Sequence, residues 1–117
     1  MKRILLKLSG EALAGEKGHG FDEKTCLGVA AQVKTLADEG YEIAIVIGGG
    51  NFWRGRTSES MDRVRADQIG MLATVMNCLY VSDAFQRKGL STVVMTPFLC
   101  GSFTELFSRD VAVDALK

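Results

Sequence analysis

Apolar positions along the chain fall into short solid runs and long periodic stretches, and the two kinds alternate. Residues 3 to 8, Arg3-Ile4-Leu5-Leu6-Lys7-Leu8, are short, apolar and stopped by Ser9-Gly10, the pattern of a buried strand. A turn of helix over Glu11 to Ala14 follows, and Gly15 to Gly20 reads as a flexible loop. Asp22 is a good N-cap for the next stretch, where Cys26, Val29, Val33 and Leu36 recur on one helix face. Gly40 stands where a helix C′ glycine belongs. Ile43 to Ile47 is a second solid run, ending in Gly48-Gly49-Gly50-Asn51. Phe52 to Met61 is a loop, and a long helix is predicted from about Asp62 to Lys88. In it Ile69, Leu72, Met76 and Leu79 share one face and Met71, Val75 and Cys78 another, the pattern of a largely buried helix. Gly89 ends it. Ser91 to Thr96 is predicted as a third strand closed by Pro97, residues 97 to 107 as a loop, and Ser108 to Lys117 as a helix capped by Ser108.

Strands with no polar face are typical of parallel sheets covered by helices on both sides. The order β-α-β-α-β-α therefore predicts an α/β fold with a mainly parallel sheet and helices on both faces. Three strands are few for this class, so residues 1 to 117 read as part of a larger unit.

Composition narrows the function. The chain has 47% hydrophobic and 24% charged residues, ordinary for a globular protein rather than a disordered one. Fourteen Lys and Arg balance fourteen Asp and Glu, so there is no basic excess for a nucleic acid partner. No apolar run is long enough to cross a membrane, and Lys7 interrupts the run nearest the N-terminus, which argues against a signal peptide. Cys26, Cys78 and Cys100 are odd in number and widely spaced, so neither a disulfide framework nor a structural zinc is expected; free thiols suit a cytoplasmic protein. Thirteen glycines against one proline suggest backbone lying close to a ligand.

The chemistry sits at two glycine turns, each at the C-terminal end of a predicted strand, where open α/β sheets bind ligands. They are Lys7-Leu8-Ser9-Gly10 and Gly48-Gly49-Gly50-Asn51. Glycines let backbone N–H groups close around a phosphate, and a lysine beside them adds charge for a migrating phosphoryl group. Neither turn is a GxxxxGK[ST] loop or a strict GxGxxG. Each candidate also has a purely structural reading. Three glycines can make a tight turn, Lys7 can snorkel from an edge strand, and Arg54 and Arg56 can be solvated loop charges. Asp67 can form a surface pair with Arg63 or accept hydrogen bonds from ligand hydroxyls. His19 receives no chemistry, and the cysteines read as packing residues.

The segment from Lys2 through Leu13 resembles the N-terminus of bacterial uridylate (UMP) kinases, members of the amino-acid kinase superfamily. Val46 to Asn51 with Arg54-Gly55 is similar to their second glycine loop. Met61 to Val64, Asp67 and Gly70 to Asn77 are similar to their long helix. The resemblance implies ATP + UMP → ADP + UDP with Mg2+, in pyrimidine nucleotide synthesis. It implies that Lys7, Leu8, Ser9 and Gly10, with Gly50 and Arg54, contact ATP, with Lys7 as the catalytic group. It implies that Gly49 and Asp67 contact UMP. It implies that Gly15, Glu16, Lys17, Gly18, His19 and Gly20 form a segment linked to GTP activation, with UTP as an inhibitor. It further implies a cytoplasmic homohexamer. Trp53 and His19 depart from the usual residues, and family members are roughly twice as long, so the chain resembles their N-terminal half. Two other readings stand beside it: a superfamily kinase acting on a carboxylate or carbamate, and an inactive nucleotide-binding or oligomerisation module.

Overall fold

The computed structural model describes residues 2–53 and 60–117. Strand β1 (Lys2–Leu8) and strand β2 (Tyr41–Ile47) pair in parallel, in register from Lys2 opposite Tyr41 to Leu8 opposite Ile47. The crossover between them holds helix α1 (Gly10–Ala14), a 3-10 turn (Gly15–Lys17) and helix α2 (Glu23–Asp38). Helix α3 (Arg63–Arg87) follows β2, and the chain closes with β3 (Met95–Thr96), β4 (Glu105–Leu106) and α4 (Arg109–Leu116).

Caps set the helix boundaries. The Asp22 carboxylate accepts from the Thr25 N–H at 3.0 Å, Asp62 from the Arg65 N–H at 3.3 Å, and Ser108 from the Val111 N–H at 3.2 Å. At the far ends of α2 and α3, Gly40 and Gly89 adopt φ of 95° and 87°, which an L side chain resists.

The core lies between one face of the β1–β2 sheet and the pair α2–α3. Ile43, Ile45 and Ile47 alternate inward from β2, as do Leu6 and Leu8 from β1. They meet Cys26, Ala30 and Val33 of α2 and Val81, Ala84 and Phe85 of α3. Leu13 of α1, with no exposed surface, plugs one end of this layer. Truncating one of its large members, Phe85 for instance, would cost about 3–5 kcal/mol.

The α/β class with parallel strands is as the sequence predicts, and four details differ. The strands are one-sided rather than buried throughout: Leu5 is 70% and Val46 53% exposed, because α2 and α3 cover a single face. Within α3 the face carrying Ile69, Leu72 and Met76 is exposed, Val75 of the other predicted face is buried, and burial also runs along Ala66, Ala73, Asn77, Val81 and Ala84. The predicted third strand contracts to Met95–Thr96, which pairs with Glu105–Leu106 inside the predicted loop, forming a second two-stranded parallel sheet. A groove of about 630 Å3 separates β2 from residues 90–98, so these residues do not join the first sheet. Lastly, Gly15–Gly20 is not a free loop; its first half is the 3-10 turn and its second half is tied to the second glycine turn.

Candidate functional site

Parallel pairing in register brings the two glycine turns side by side. The Gly48 N–H continues the ladder by donating to Leu8 O at 3.0 Å. Just beyond, Gly10 lies so close to the second turn that a Cβ on it would stand 2.5 Å from Asn51 Oδ1, 2.7 Å from Gly50 N and 2.9 Å from Gly48 O. Only glycine allows that approach. Gly49 in turn faces α3: its Cβ position is 3.1 Å from Ala73 Cβ and 3.3 Å from Gly70 O. Two of the glycines are thus required by backbone-to-backbone and backbone-to-helix contact, before any ligand is considered.

The second turn closes on the carbonyl of Gly49. Phe52 N–H and Trp53 N–H both donate to Gly49 O at 3.1 Å. Among the described residues, no acceptor takes the N–H groups of Gly49, Gly50 or Asn51. Free amides at successive turn residues are groups that can take an anion.

Two asparagines hold the turn from behind. Asn77 Nδ2 donates to Gly48 O at 2.6 Å and to Asn51 Oδ1 at 2.8 Å. Asn51 Nδ2 donates to Asn77 Oδ1 at 3.0 Å and to Gly20 O at 2.9 Å. Gly20 N–H returns a bond to Asn51 O at 3.0 Å. The side chains are 1% and 0% exposed, and each amide nitrogen uses both hydrogens. Sequence reasoning gave neither asparagine a role. Its available signal was a polar residue at 77 on a stripe of small and apolar residues, Ala66, Gly70, Ala73, Val81 and Ala84.

Aromatic contacts extend the same cluster. Phe52 meets His19 and Phe21 edge-on, with centroids 5.6 and 5.1 Å apart, and Phe21 stacks on Tyr80 at 3.8 Å. Burial pushes the Tyr80 hydroxyl up from its ordinary pKa. Trp53 Nε1 donates to Ala66 O of α3 at 2.9 Å, fixing the chain just after the turn. His19, expected to have no chemistry, has a packing role here.

The predicted site residues divide accordingly. Lys7, Leu8, Ser9, Gly10, Gly49 and Gly50 come together at the end of the β1–β2 sheet. Lys7 is exposed, on the strand face opposite Leu6 and Leu8. The Ser9 hydroxyl caps α1 by accepting from the Ala12 N–H at 3.2 Å, so part of its bonding capacity is used structurally. Asp67 is exposed and forms the surface pair with Arg63, 4.0 Å apart and one helical turn away. It also shares a helix stripe with Gly70 and Thr74, both of which touch the Gly49 position. Arg54 and Arg56 lie outside the described residues. Of the loop residues, Gly15, Gly18 and Gly20 have φ between 58° and 73°, Lys17 Nζ donates to Phe21 O at 3.2 Å, and Gly20 joins the asparagine pair; Glu16 lies in the 3-10 turn.

Among the described residues no group of three or more His, Cys, Asp or Glu side chains converges as metal ligands. None of the described helices is long and apolar enough to cross a membrane. Cys26, Cys78 and Cys100 are free thiols.

Comparison with known proteins places this architecture. The model of the amino acid kinase family matches residues 2–116. The UMP kinase of Bacillus anthracis superposes with a TM-score of 0.91 at 40% sequence identity, covering 98% of this chain and 48% of its own. The UMP kinase of Ureaplasma parvum superposes with a TM-score of 0.89 at 30% identity, covering 100% of this chain and 53% of its own. The chain therefore spans about half the length of these two solved kinases. Paired strands, adjoining glycine turns and a family match running almost end to end agree: this chain belongs to the amino acid kinase family.

Proposed function

We propose that the chain carries the acceptor-nucleotide side and the phosphate loops of a UMP kinase, the enzyme class that moves the γ-phosphoryl of ATP onto the α-phosphate oxygen of UMP. The observation that carries this reading is the backbone contact between the two glycine turns, Gly10 against Gly50, at the C-terminal edge of a parallel sheet. Likeness to two UMP kinases at 40% and 30% identity supports the choice of acceptor.

Phosphoryl transfer asks little covalent chemistry of a protein; it asks for alignment and charge neutralisation. In this reading Lys7, at the end of β1, neutralises the migrating phosphoryl group. The turn of Leu8, Ser9 and Gly10 takes the ATP phosphates, with Gly50 and Arg54 on the same nucleotide. Gly49 and Asp67 take UMP. Backbone amides suit the task because they are held before the ligand arrives and need no reorganisation. Mg2+ would neutralise phosphate charge when bound with the nucleotide, as it commonly is. No step here is assigned to it.

Three wider parts of the proposal follow the same likeness. Gly15, Glu16, Lys17, Gly18, His19 and Gly20 form an effector-linked segment for GTP, with UTP as inhibitor; the bonds between Gly20 and Asn51 support a link to the phosphate turn. The protein works as a homo-oligomer, a hexamer in this reading, which the exposed Leu72 and Met76 on α3 support. It acts in the cytoplasm, on small nucleotides rather than nucleic acid or membrane.

The test is an ADP-release assay on the chain with UMP, CMP or no acceptor, run beside calorimetry with each nucleotide. UMP-dependent turnover that Lys7→Ala abolishes is the expected result for a working site. UMP binding without turnover would leave a nucleotide-binding module. Neither binding nor turnover would overturn the reading.

A further inference from the structure

Asn77 is the one polar side chain among the seven buried residues of α3, and none of its surface is exposed. A buried amide is costly unless its bonds are made, and an apolar residue of similar volume would fill the same space with no such requirement. Its two donors do not serve its own helix. They reach 29 residues back to Gly48 O and 26 residues back to Asn51 Oδ1. Asn51 then passes the restraint to Gly20. The first and last residues of the Gly48–Asn51 turn are thereby fixed, while Gly49 is pressed against Ala73 and Gly50 against Gly10. What the turn leaves without an acceptor, among the described residues, are the N–H groups of Gly49 and Gly50 at its middle.

We propose that Asn77, acting through Asn51, is a positioning residue that holds the Gly49 and Gly50 amides in the arrangement that receives a nucleotide phosphate. The inference rests on the nucleotide reading of this turn. Its geometric part stands on the two amides alone. Asn77 touches no ligand; it removes the turn's freedom in advance, so the bound nucleotide does not have to. The bonds from Asn51 to Gly20 make residues 18–21 part of the same restrained unit.

The test compares Asn77→Ala with Val81→Ala, a core truncation one turn along the same helix that makes no contact with the turn in this account. Two readouts are taken where both variants are fully folded: affinity for ATP and for UMP by calorimetry, and amide hydrogen exchange at Gly20, Phe52 and Trp53. The expected result for Asn77→Ala is at least tenfold weaker nucleotide binding and at least tenfold faster exchange at those three amides relative to amides of α2. Val81→Ala should lower global stability and leave affinity and the exchange ratio unchanged. Asn51→Ser breaks the same bonds from the loop side and should reproduce Asn77→Ala; it carries the test if Asn77→Ala does not fold. Equal effects of Asn77→Ala and Val81→Ala would overturn the proposal, as would unchanged exchange at the three amides. Should the unaltered chain bind neither nucleotide, the kinase reading is what fails, and the exchange ratio alone decides whether Asn77 positions the turn.

Discussion

Gly49 and Ala73 meet at the limit of close packing: a Cβ at position 49 would come within 3.1 Å of the Ala73 Cβ. The glycine turn and helix α3 therefore approach as backbone against methyl, and substitution at either residue changes the fit. Gly49→Ala should destabilise the chain by about 1 kcal/mol, within the range for mild overpacking. Ala73→Gly alone should cost a similar amount, through helix propensity and lost contact. Together the two should cost less than their sum, because the deleted methyl makes room for the added one. Urea unfolding of the four proteins in a double-mutant cycle measures this coupling. An additive result would show that the turn has room to shift away from α3.

Gly10 and Gly28 make a second comparison, between the same substitution in two settings. A Cβ at Gly10 would meet Gly50 N at 2.7 Å and Gly48 O at 2.9 Å, both backbone atoms that cannot rotate away. Gly10→Ala should cost about 1–3 kcal/mol or more and weaken any ligand held by the paired turns. Gly28 is exposed on α2, with nothing within 4 Å of its Cβ position. Gly28→Ala should stabilise the protein by about 0.4–1 kcal/mol, by raising helix propensity and reducing the freedom of the unfolded chain. Thermal unfolding of both variants reads the difference in sign.

The contrast between local and distant signals explains how much was legible in the sequence. Helices α2 and α3 were, because their ends are written in neighbouring residues: Asp22, Asp62, Gly40 and Gly89 act within one turn of where they stand. The two glycine turns were placed correctly because each follows an apolar run directly. The third strand was legible only at its end: Ser91 to Val94 has strand-like composition but is not assigned to a strand, its backbone contact with the β4 side being the Glu105 N–H donated to Val94 O at 2.9 Å, and pairing is settled by a partner along the chain. The buried face of α3 was misjudged for a related reason. Of the two predicted faces, Val75 and Cys78 of the second are buried or packed on the core, but counting large apolar residues also favoured Ile69, Leu72 and Met76, which are exposed, whereas close approach to the glycine turn selects small residues such as Ala73. Asn51 and Asn77 escaped notice as a pair because nothing within 25 residues of either announces the other.

The thiols should report this burial directly. Cys26 is 2% exposed, its Sγ lies 3.5 Å from Leu13 O, and burial, followed by the Asp22 charge, pushes its pKa up. Burial also raises that of Cys78. Since the thiolate is the reactive form, both should react slowly at neutral pH. With a disulfide reagent at pH 7.5, Cys26 should stay unmodified until denaturant unfolds the chain, and its labelling should track loss of helical signal. Prompt labelling of Cys26 in the native protein, read by mass spectrometry, would contradict the packing of Leu13 against α2.

Acid should act on the start of α2. The Thr25 hydroxyl and then the Thr25 N–H donate to the Asp22 carboxylate and hold its pKa below the ordinary value, with Lys17 and Lys24 adding to the effect. A carboxyl whose pKa is depressed in the folded state stabilises that state above its unfolded value of about 3.9. That contribution is lost as pH falls through the lower, folded value, where the proton displaces the capping bonds. Stability should therefore decline as pH drops below about 4. Asp22→Asn keeps a capping oxygen and removes the titration, so it should flatten the acid limb while leaving α2 formed at neutral pH. Urea midpoints from pH 2.5 to 6 for both proteins give the comparison. Parallel acid limbs would assign the pH dependence to other carboxylates.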